Sequence, residues 1–266
     1  GFEPTVVFPV GDQERVVTEG QALLTQAQQD IANGNILETS INGNAVADKT
    51  VSSWKTILIG GMGLGGACRN LGSTCTNCIK TPSNGLGYSS YFAIDVTDPN
   101  NPVLLWEFSD SELGMSTSGP AIIRQGDIFK NGSWFVVFAS GPTGPIDTNY
   151  QQFLGKSDQS LKIFVLDLKT GVLQRKIDTS IQNAFGSSLY NATLDTDRGN
   201  QLSLGHYKDD VMYLGYTKCA DSPCAASSTW TKGGVLRLVT KENADPGQWS
   251  VSTVIDDIGP VTAAIT

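Results

Sequence analysis

The densest run of metal-seeking oxygens in the sequence is Leu194-Asp195-Thr196-Asp197-Arg198-Gly199-Asn200. Oxygen ligands at alternating positions let a short loop surround a hard cation, because calcium takes six to eight oxygens at about 2.3 to 2.6 Å. Asp195 and Asp197 fill the first two places, Gly199 offers a backbone carbonyl at the third, and Asn200 stands one place later. Asp209 and Asp210, at the start of the next apolar run, would close the set. These six residues form the expected calcium site, and the competing reading is a solvated loop with several acids.

Five cysteines fall in two clusters, Cys68, Cys75 and Cys78, then Cys219 and Cys224, both in Gly, Ser, Thr and Asn-rich segments that read as surface loops. Exported proteins staple such loops with disulfides. The short spacing across Ala220-Asp221-Ser222-Pro223 suits a local Cys219–Cys224 bridge, whereas pairing in the first cluster is undetermined and the odd count leaves one thiol over. Cys75-Thr76-Asn77-Cys78 is followed by Ile79, which excludes covalent haem attachment, and a zinc site would need a fourth ligand. Any Ser-His-Asp or Cys-His engine would have to use the only histidine, His206, which reads as a surface-loop residue beside no nucleophile elbow. Gly61-Met62-Gly63-Leu64-Gly65-Gly66 matches a dinucleotide fingerprint, but the Cys68 to Cys75 stretch after it cannot open the helix that pyrophosphate needs. No catalytic residues are expected.

The elements that would position these loops are short strands. The 266 residues include 29 Gly and 11 Pro, set between β-branched runs. One helix is expected at about 19–33, where Thr18 and Gln21 form a capping box and Leu23, Leu24, Ala27 and Ile31 share a face before Gly34. Residues 1–48 thus read as an N-terminal segment and 49–266 as an all-β region. Within it Tyr91-Phe92-Ala93-Ile94-Asp95-Val96 resembles Ile163-Phe164-Val165-Leu166-Asp167-Leu168, with the aspartates 72 residues apart, and another 72 lands on Val239 in a third alternating strand. Each of the three is followed by turn chemistry and a further strand, at 103–106, 172–177 and 249–255. Small-residue strands are expected at 118–123, 188–192 and 259–264, and apolar strands at 54–60, 134–140 and 211–215.

Four strands recurring every 70 to 80 residues predict a β-propeller of four-stranded antiparallel blades, with the small-residue strand innermost. A sandwich with coincidental spacing is the alternative. About three blades fit, so the chain is expected to be a partial propeller, completed by a further segment or chain. An aspartate recurring once per repeat reads as a residue that hydrogen-bonds the turn after its strand, not as half of an acid-base pair. No run of 18 apolar residues occurs and the amino terminus lacks a charged and apolar leader, so neither a membrane span nor a signal peptide is expected. The 18 Lys and Arg against 26 Asp and Glu, a net charge of −8, argue against a nucleic-acid partner.

Ala93-x-Asp95 with Trp106, and Val165-x-Asp167-x-x-Thr170-Gly171, resemble the tryptophan-docking repeat of quinoprotein propellers, with Arg175 at the Trp position of the second copy. A longer string is similar to the C-terminal propeller of the PilY family of type IV pilus biogenesis factors and tip-associated adhesins. It comprises Asn42-Gly43-Asn44-Ala45-Val46-Ala47-Asp48, Trp54-Lys55-Thr56-Ile57-Leu58-Ile59-Gly60-Gly61, Tyr91-Phe92-Ala93-Ile94-Asp95-Val96-Thr97-Asp98-Pro99, Leu105-Trp106-Glu107-Phe108-Ser109-Asp110 and Trp134-Phe135-Val136-Val137-Phe138. This resemblance implies an exported, non-enzymatic bacterial protein at the cell surface, pilus tip or outer membrane. Such a protein would counter pilus retraction, support twitching motility, sit with minor pilins and adhere to host or abiotic surfaces, presenting loops such as 62–90 and 141–160. It also implies a calcium loop at Asp195, Asp197 and the Asp209/Asp210 pair, although here a third carboxylate is missing and the last spacing is longer. The alternatives are a quinone-dependent dehydrogenase propeller and a purely structural propeller piece.

Overall fold

The structure, a computed structural model, describes residues 55–64, 89–126, 132–144, 146–147, 152–153, 155–190, 192–200, 203–225 and 227–265. The expected helix at 19–33, the whole 1–48 segment and Cys68, Cys75 and Cys78 lie outside these residues. Fourteen strands follow in chain order among them. β1 (Ile57–Gly61), β2 (Tyr91–Asp95) and β3 (Val103–Phe108) form a first antiparallel sheet. β4 (Ala121–Gln125), β5 (Ser133–Ala139), β8 (Lys162–Asp167) and β9 (Leu173–Asp178) form a second, and the short β6 (Ile146–Asp147) and β7 (Gln152–Phe153) pair in the excursion between β5 and β8. β10 (Ala184–Gly186), β12 (Val211–Lys218), β13 (Lys232–Val239) and β14 (Ser250–Ile258) form the third, with β11 (Thr193–Leu194) paired to β12.

Each sheet is an up-and-down meander, and the three follow one another along the chain with no strand exchanged between them. The sequence explains the layering. β5 and β8 read as nearly unbroken apolar runs because the second sheet is covered on both faces. Val136, Phe138, Phe164 and Leu166 point into a core shared with Tyr91, Ala93 and Trp106 of the first sheet. Their neighbours Phe135, Val137, Ala139, Ile163 and Val165 point the other way, onto Met212, Leu214, Tyr216, Leu236 and Leu238 of the third. The strict alternation of the pleat assigns consecutive residues to opposite cores. Each buried Val, Leu, Ile or Phe contributes about 1.5 to 3 kcal/mol, so a register slip in β5 or β8 would misplace both cores together. Tyr91 and Phe138 stack across the first interface with ring centroids 3.8 Å apart.

The repeated strands expected at 91–96, 163–168 and 234–239 are β2, β8 and β13, and the strands expected after their turns are β3, β9 and β14. Two of the three small-residue strands differ from expectation. The first is present as β4, but the edge strand of the third sheet is Ala184–Gly186, and the described residues 188–190 and 192 form no strand, with Leu189 and Ala192 buried. Residues 259–264 form no strand. In both places a small-residue run closes the core as irregular backbone: Val261 lies over Gly215, where a Cβ would sit against it. Among the described residues the three main sheets have three, four and five strands, β6 and β7 form a two-stranded one, and none closes on itself.

Candidate functional site

The recurring aspartate caps its turn. Asp95 Oδ1 accepts the Thr97 amide at 3.0 Å, and Asp167 Oδ1 accepts both the amide and the hydroxyl of Thr170, at 2.8 and 2.7 Å. In the third repeat the strand ends on Val239, and the next residue takes over: Thr240 Oγ1 accepts the Glu242 amide at 3.1 Å. The short polar side chain satisfies a turn amide left without a ladder partner.

Those turns are where the sheets lock together. Trp106 on β3 packs on Gly171, just beyond β8, and its indole Nε1 donates to Leu168 O at 2.9 Å. Gly171 has φ +70°, and a Cβ there would lie 2.5 Å from Trp106 Cγ, so both the left-handed backbone and the close approach require glycine. On β9, Arg175 stands at the corresponding place. Its Nη1 donates to the carbonyls of Pro246, Gly247 and Trp249, at 2.5, 3.2 and 2.7 Å, in the turn between β13 and β14. Both docking residues sit beside a register shift, between Ala93 and Ile94 for Trp106 and between Val165 and Leu166 for Arg175. A bulge re-aims its strand locally, and here it turns the side chain towards the following sheet. At the matching shift in the third sheet stands Ile255, which is 45% exposed.

The six residues expected to hold calcium lie between β11 and β12. Gly199 and Asn200 belong to a turn in which the Asn200 amide donates to Asp197 O at 2.8 Å. Asp195 Oδ1 accepts the Asp197 amide at 3.0 Å and its Oδ2 the Tyr207 amide at 3.2 Å. Asp197 Oδ2 accepts the Ser203 hydroxyl at 2.5 Å. Asp210 Oδ2 accepts the amide and hydroxyl of Thr196, and Asp209 Oδ2 accepts the Arg124 amide. The loop thus brings Asp195, Asp209 and Asp210 into one neighbourhood, yet each carboxylate is aimed at its own N–H or O–H donor. Among the described residues no three His, Cys, Asp or Glu side chains converge as a metal would need. Burial pushes the Asp209 carboxyl above the usual carboxylate range; the Arg124 amide and guanidinium oppose the rise, while the charges of Asp195 and Asp210 add to it.

Sequence reasoning missed Arg124 and Gln125 at the end of β4. Gln125 Nε2 donates to Asp209 O at 2.7 Å, and the Asp209 amide returns to Arg124 O at 2.8 Å. Nothing local marks them, because they lie some 85 residues away from Asp209 in the chain. A second missed cluster did have a signal, a lysine inside an apolar run. Lys162 is 6% exposed and pairs with Asp178 and Glu112, while Lys176 pairs with Glu112 and Asp110. Burial pulls the Lys162 pKa down, but hydrogen bonds to Asp178 and Glu112 outweigh it and hold the ammonium above its ordinary value. The network ties the segment after β3 to the second sheet.

His206 corrects an expectation. It lies in a turn, but is only 7% exposed, with its ring against Tyr207 at 4.1 Å and Nδ1 3.4 Å from Asp197 O. It helps fold the loop over. Cys219 and Cys224 form a disulfide, with Cα atoms 6.0 Å apart. Gly61 ends β1 and Gly63 bridges to Ser116 within the glycine-rich run; residues 65–88 lie outside the described residues. No helix among the described residues is long and apolar enough to cross a membrane.

Antiparallel meanders, the first clamped to the second by Trp106 and the second to the third by Arg175, define an all-β scaffold whose acidic excursion lies in a loop. Comparison with known proteins narrows that class. No family model matches the chain. The type IV pilus biogenesis factor PilY1 of Pseudomonas aeruginosa (strain UCBPP-PA14) is 26% identical over 162 residues, covering 60% of this chain and 11% of that protein. A PilY1 homolog of Xylella fastidiosa (strain Temecula1) is 30% identical over 132 residues, 47% of this chain and 6% of that one. The crystal structure of the P. aeruginosa PilY1 C-terminal domain superposes with a TM-score of 0.46 at 19% identity, covering 86% of this chain and 39% of that chain. The chain is thus similar to type IV pilus biogenesis factors named PilY1, and its matched stretch spans about a tenth of the length of the P. aeruginosa proteins.

Proposed function

We propose that the chain is a propeller segment of a type IV pilus biogenesis factor, displayed at the cell surface, and that it works by binding rather than catalysis. The observation that carries the architectural half is the repeated clamp, Trp106 onto the turn holding Gly171 and Arg175 onto the turn at 246–249. A clamp that advances each sheet by one step generates a radial or superhelical stack, because the same offset is applied at every interface. Exposed Ile255, at the matching bulge, is then the contact for a following sheet of the same build. The pilus half rests on the names of the relatives. In this reading the scaffold counters pilus retraction and presents its loops to minor pilins and to host or abiotic surfaces.

The test is genetic and structural together. Deleting the coding region for residues 57–258 in the encoding bacterium is expected to abolish surface pili and twitching, and Trp106→Ala with Arg175→Ala to reproduce the loss. Wild-type piliation in the deletion strain would overturn the pilus reading. A second reading, a quinone-dependent dehydrogenase propeller, draws on the tryptophan dock alone. It predicts a new absorbance band and saturable binding when pyrroloquinoline quinone is added, and an unchanged spectrum would end it.

A further inference from the structure

We propose that Arg124 does for the loop at 195–210 what a divalent cation would do, so that the loop is closed and docked on the second sheet without metal. The family resemblance implies calcium here, and the geometry points elsewhere. The Arg124 guanidinium lies 3.9 Å from Asp195 Oδ2, a carboxylate on a side chain only 4% exposed. Its Nε donates to Tyr207 O at 3.1 Å, and its plane lies over the Tyr207 ring at 4.4 Å and the Trp134 ring at 5.7 Å. Its own amide donates to Asp209 Oδ2. One residue therefore reaches the beginning, the far turn and the end of the loop, as a central ion reaches its ligands.

The physical sense of the exchange is charge. Asp195, Asp197, Asp209 and Asp210 bring four carboxylates to one excursion, and the Arg124 guanidinium is the cation set against Asp195. A guanidinium is a permanent cation with a planar fork of donors, and it stacks on aromatic faces, which an ammonium does less well. Carboxylate oxygens that calcium would claim are instead held by Ser203, Thr196 and the amides of Asp197 and Tyr207. Position three of the loop holds Gly199, which brings no carboxylate. Adjacent Gln125 reinforces the dock through Asp209 O, and the Gly126 amide through Tyr207 O at 3.0 Å.

Closure of this loop is independent of the pilus reading, and its test uses the purified chain. Limited proteolysis mapped by mass spectrometry, and thermal melts, are run in chelator and in millimolar calcium. The wild type is expected to melt and to be cleaved identically in both. Arg124→Ala, with unchanged far-ultraviolet circular dichroism, is expected to be cut within 195–210 about tenfold faster, as a local opening that loses the charge-assisted bond to Tyr207 O and the ion pair with Asp195. Arg124→Lys is expected to behave like Arg124→Ala, because a lysine lacks the fork and the stacking plane. Should Arg124→Ala fail to fold, Asp195→Asn carries the same expectation of faster cleavage. Saturable protection of the wild-type loop by calcium, or wild-type cleavage rates in both Arg124→Ala and Asp195→Asn, would overturn the proposal.

Discussion

Replacing Gly171 by alanine tests the sheet-to-sheet clamp directly, because the added methyl is the smallest possible wedge. Two costs add at this position. The backbone sits at φ +70°, where a Cβ costs roughly 1 to 2 kcal/mol. The Cβ would also lie 2.5, 2.6 and 2.8 Å from Trp106 Cγ, Cδ2 and Cβ, so the indole must retreat and its bond to Leu168 O lengthen. Overpacking of this kind costs about 1 to 3 kcal/mol. The sum is about 3 kcal/mol, which for a chain of this size lowers the melting temperature by about 6 to 12 °C. Two other glycines separate the contributions. Gly155 has φ +60° with nothing within 4 Å of its Cβ, so Gly155→Ala should show the backbone cost alone, about 1 kcal/mol. Gly199 has neither a positive φ nor a neighbour within 4 Å, and Gly199→Ala should change stability by less than about 0.5 kcal/mol. Urea unfolding followed by circular dichroism and tryptophan fluorescence reads all three. A Gly171→Ala loss no larger than that of Gly155→Ala would refute the clamp, since the wedge against Trp106 would then cost nothing.

Arg175→Ala should destabilise by about 2 to 3 kcal/mol in the same assay, because three carbonyls of the 246–249 turn lose one charged donor; Arg175→Lys should recover less than half of it. Asp95 is held down to about 2 by hydrogen bonds from Lys55 and then Thr97, against an unperturbed 3.8. The stabilisation this carboxylate provides is therefore complete above about pH 4 and lost as the pH falls through 2, and Asp95→Asn should flatten the acid limb of a melting-temperature profile in that window. Changing Cys219 and Cys224 to serine removes a short closed loop, a loss of about 2 kcal/mol in the chain-entropy account. Thermal melts with and without reductant should show a decrease in the wild type that exceeds any decrease in the double variant by that amount.

The 72-residue repeat was legible because each sheet solves the same local problem. Asp95 and Asp167 cap turns immediately after their strands, and a contact spanning two or three residues leaves a signature in a single stretch of sequence. Trp106, Gly171 and Arg175 were visible as a pattern for the same reason, although which turn each would reach was not. The Cys219–Cys224 bridge, closing over five residues, was equally local. The edge strand of the third sheet was misread because small residues at 188–192 and 184–186 carry the same propensity, and only pairing with Tyr216 to Lys218 on β12 chooses between them.

What the sequence by itself determined was the all-β character, the rhythm of strand and turn, and the acids available to the loop before β12. These follow from alternation, turn chemistry and composition, which act over a few residues. Tertiary structure alone decided what those acids face. Arg124 meets Asp195 and Asp209 across 71 and 85 positions of chain, and His206 is buried because the loop folds back over it. A carboxylate takes either a metal or a guanidinium, and the choice depends on which charge lies within about 4 Å, a distance that no local pattern encodes.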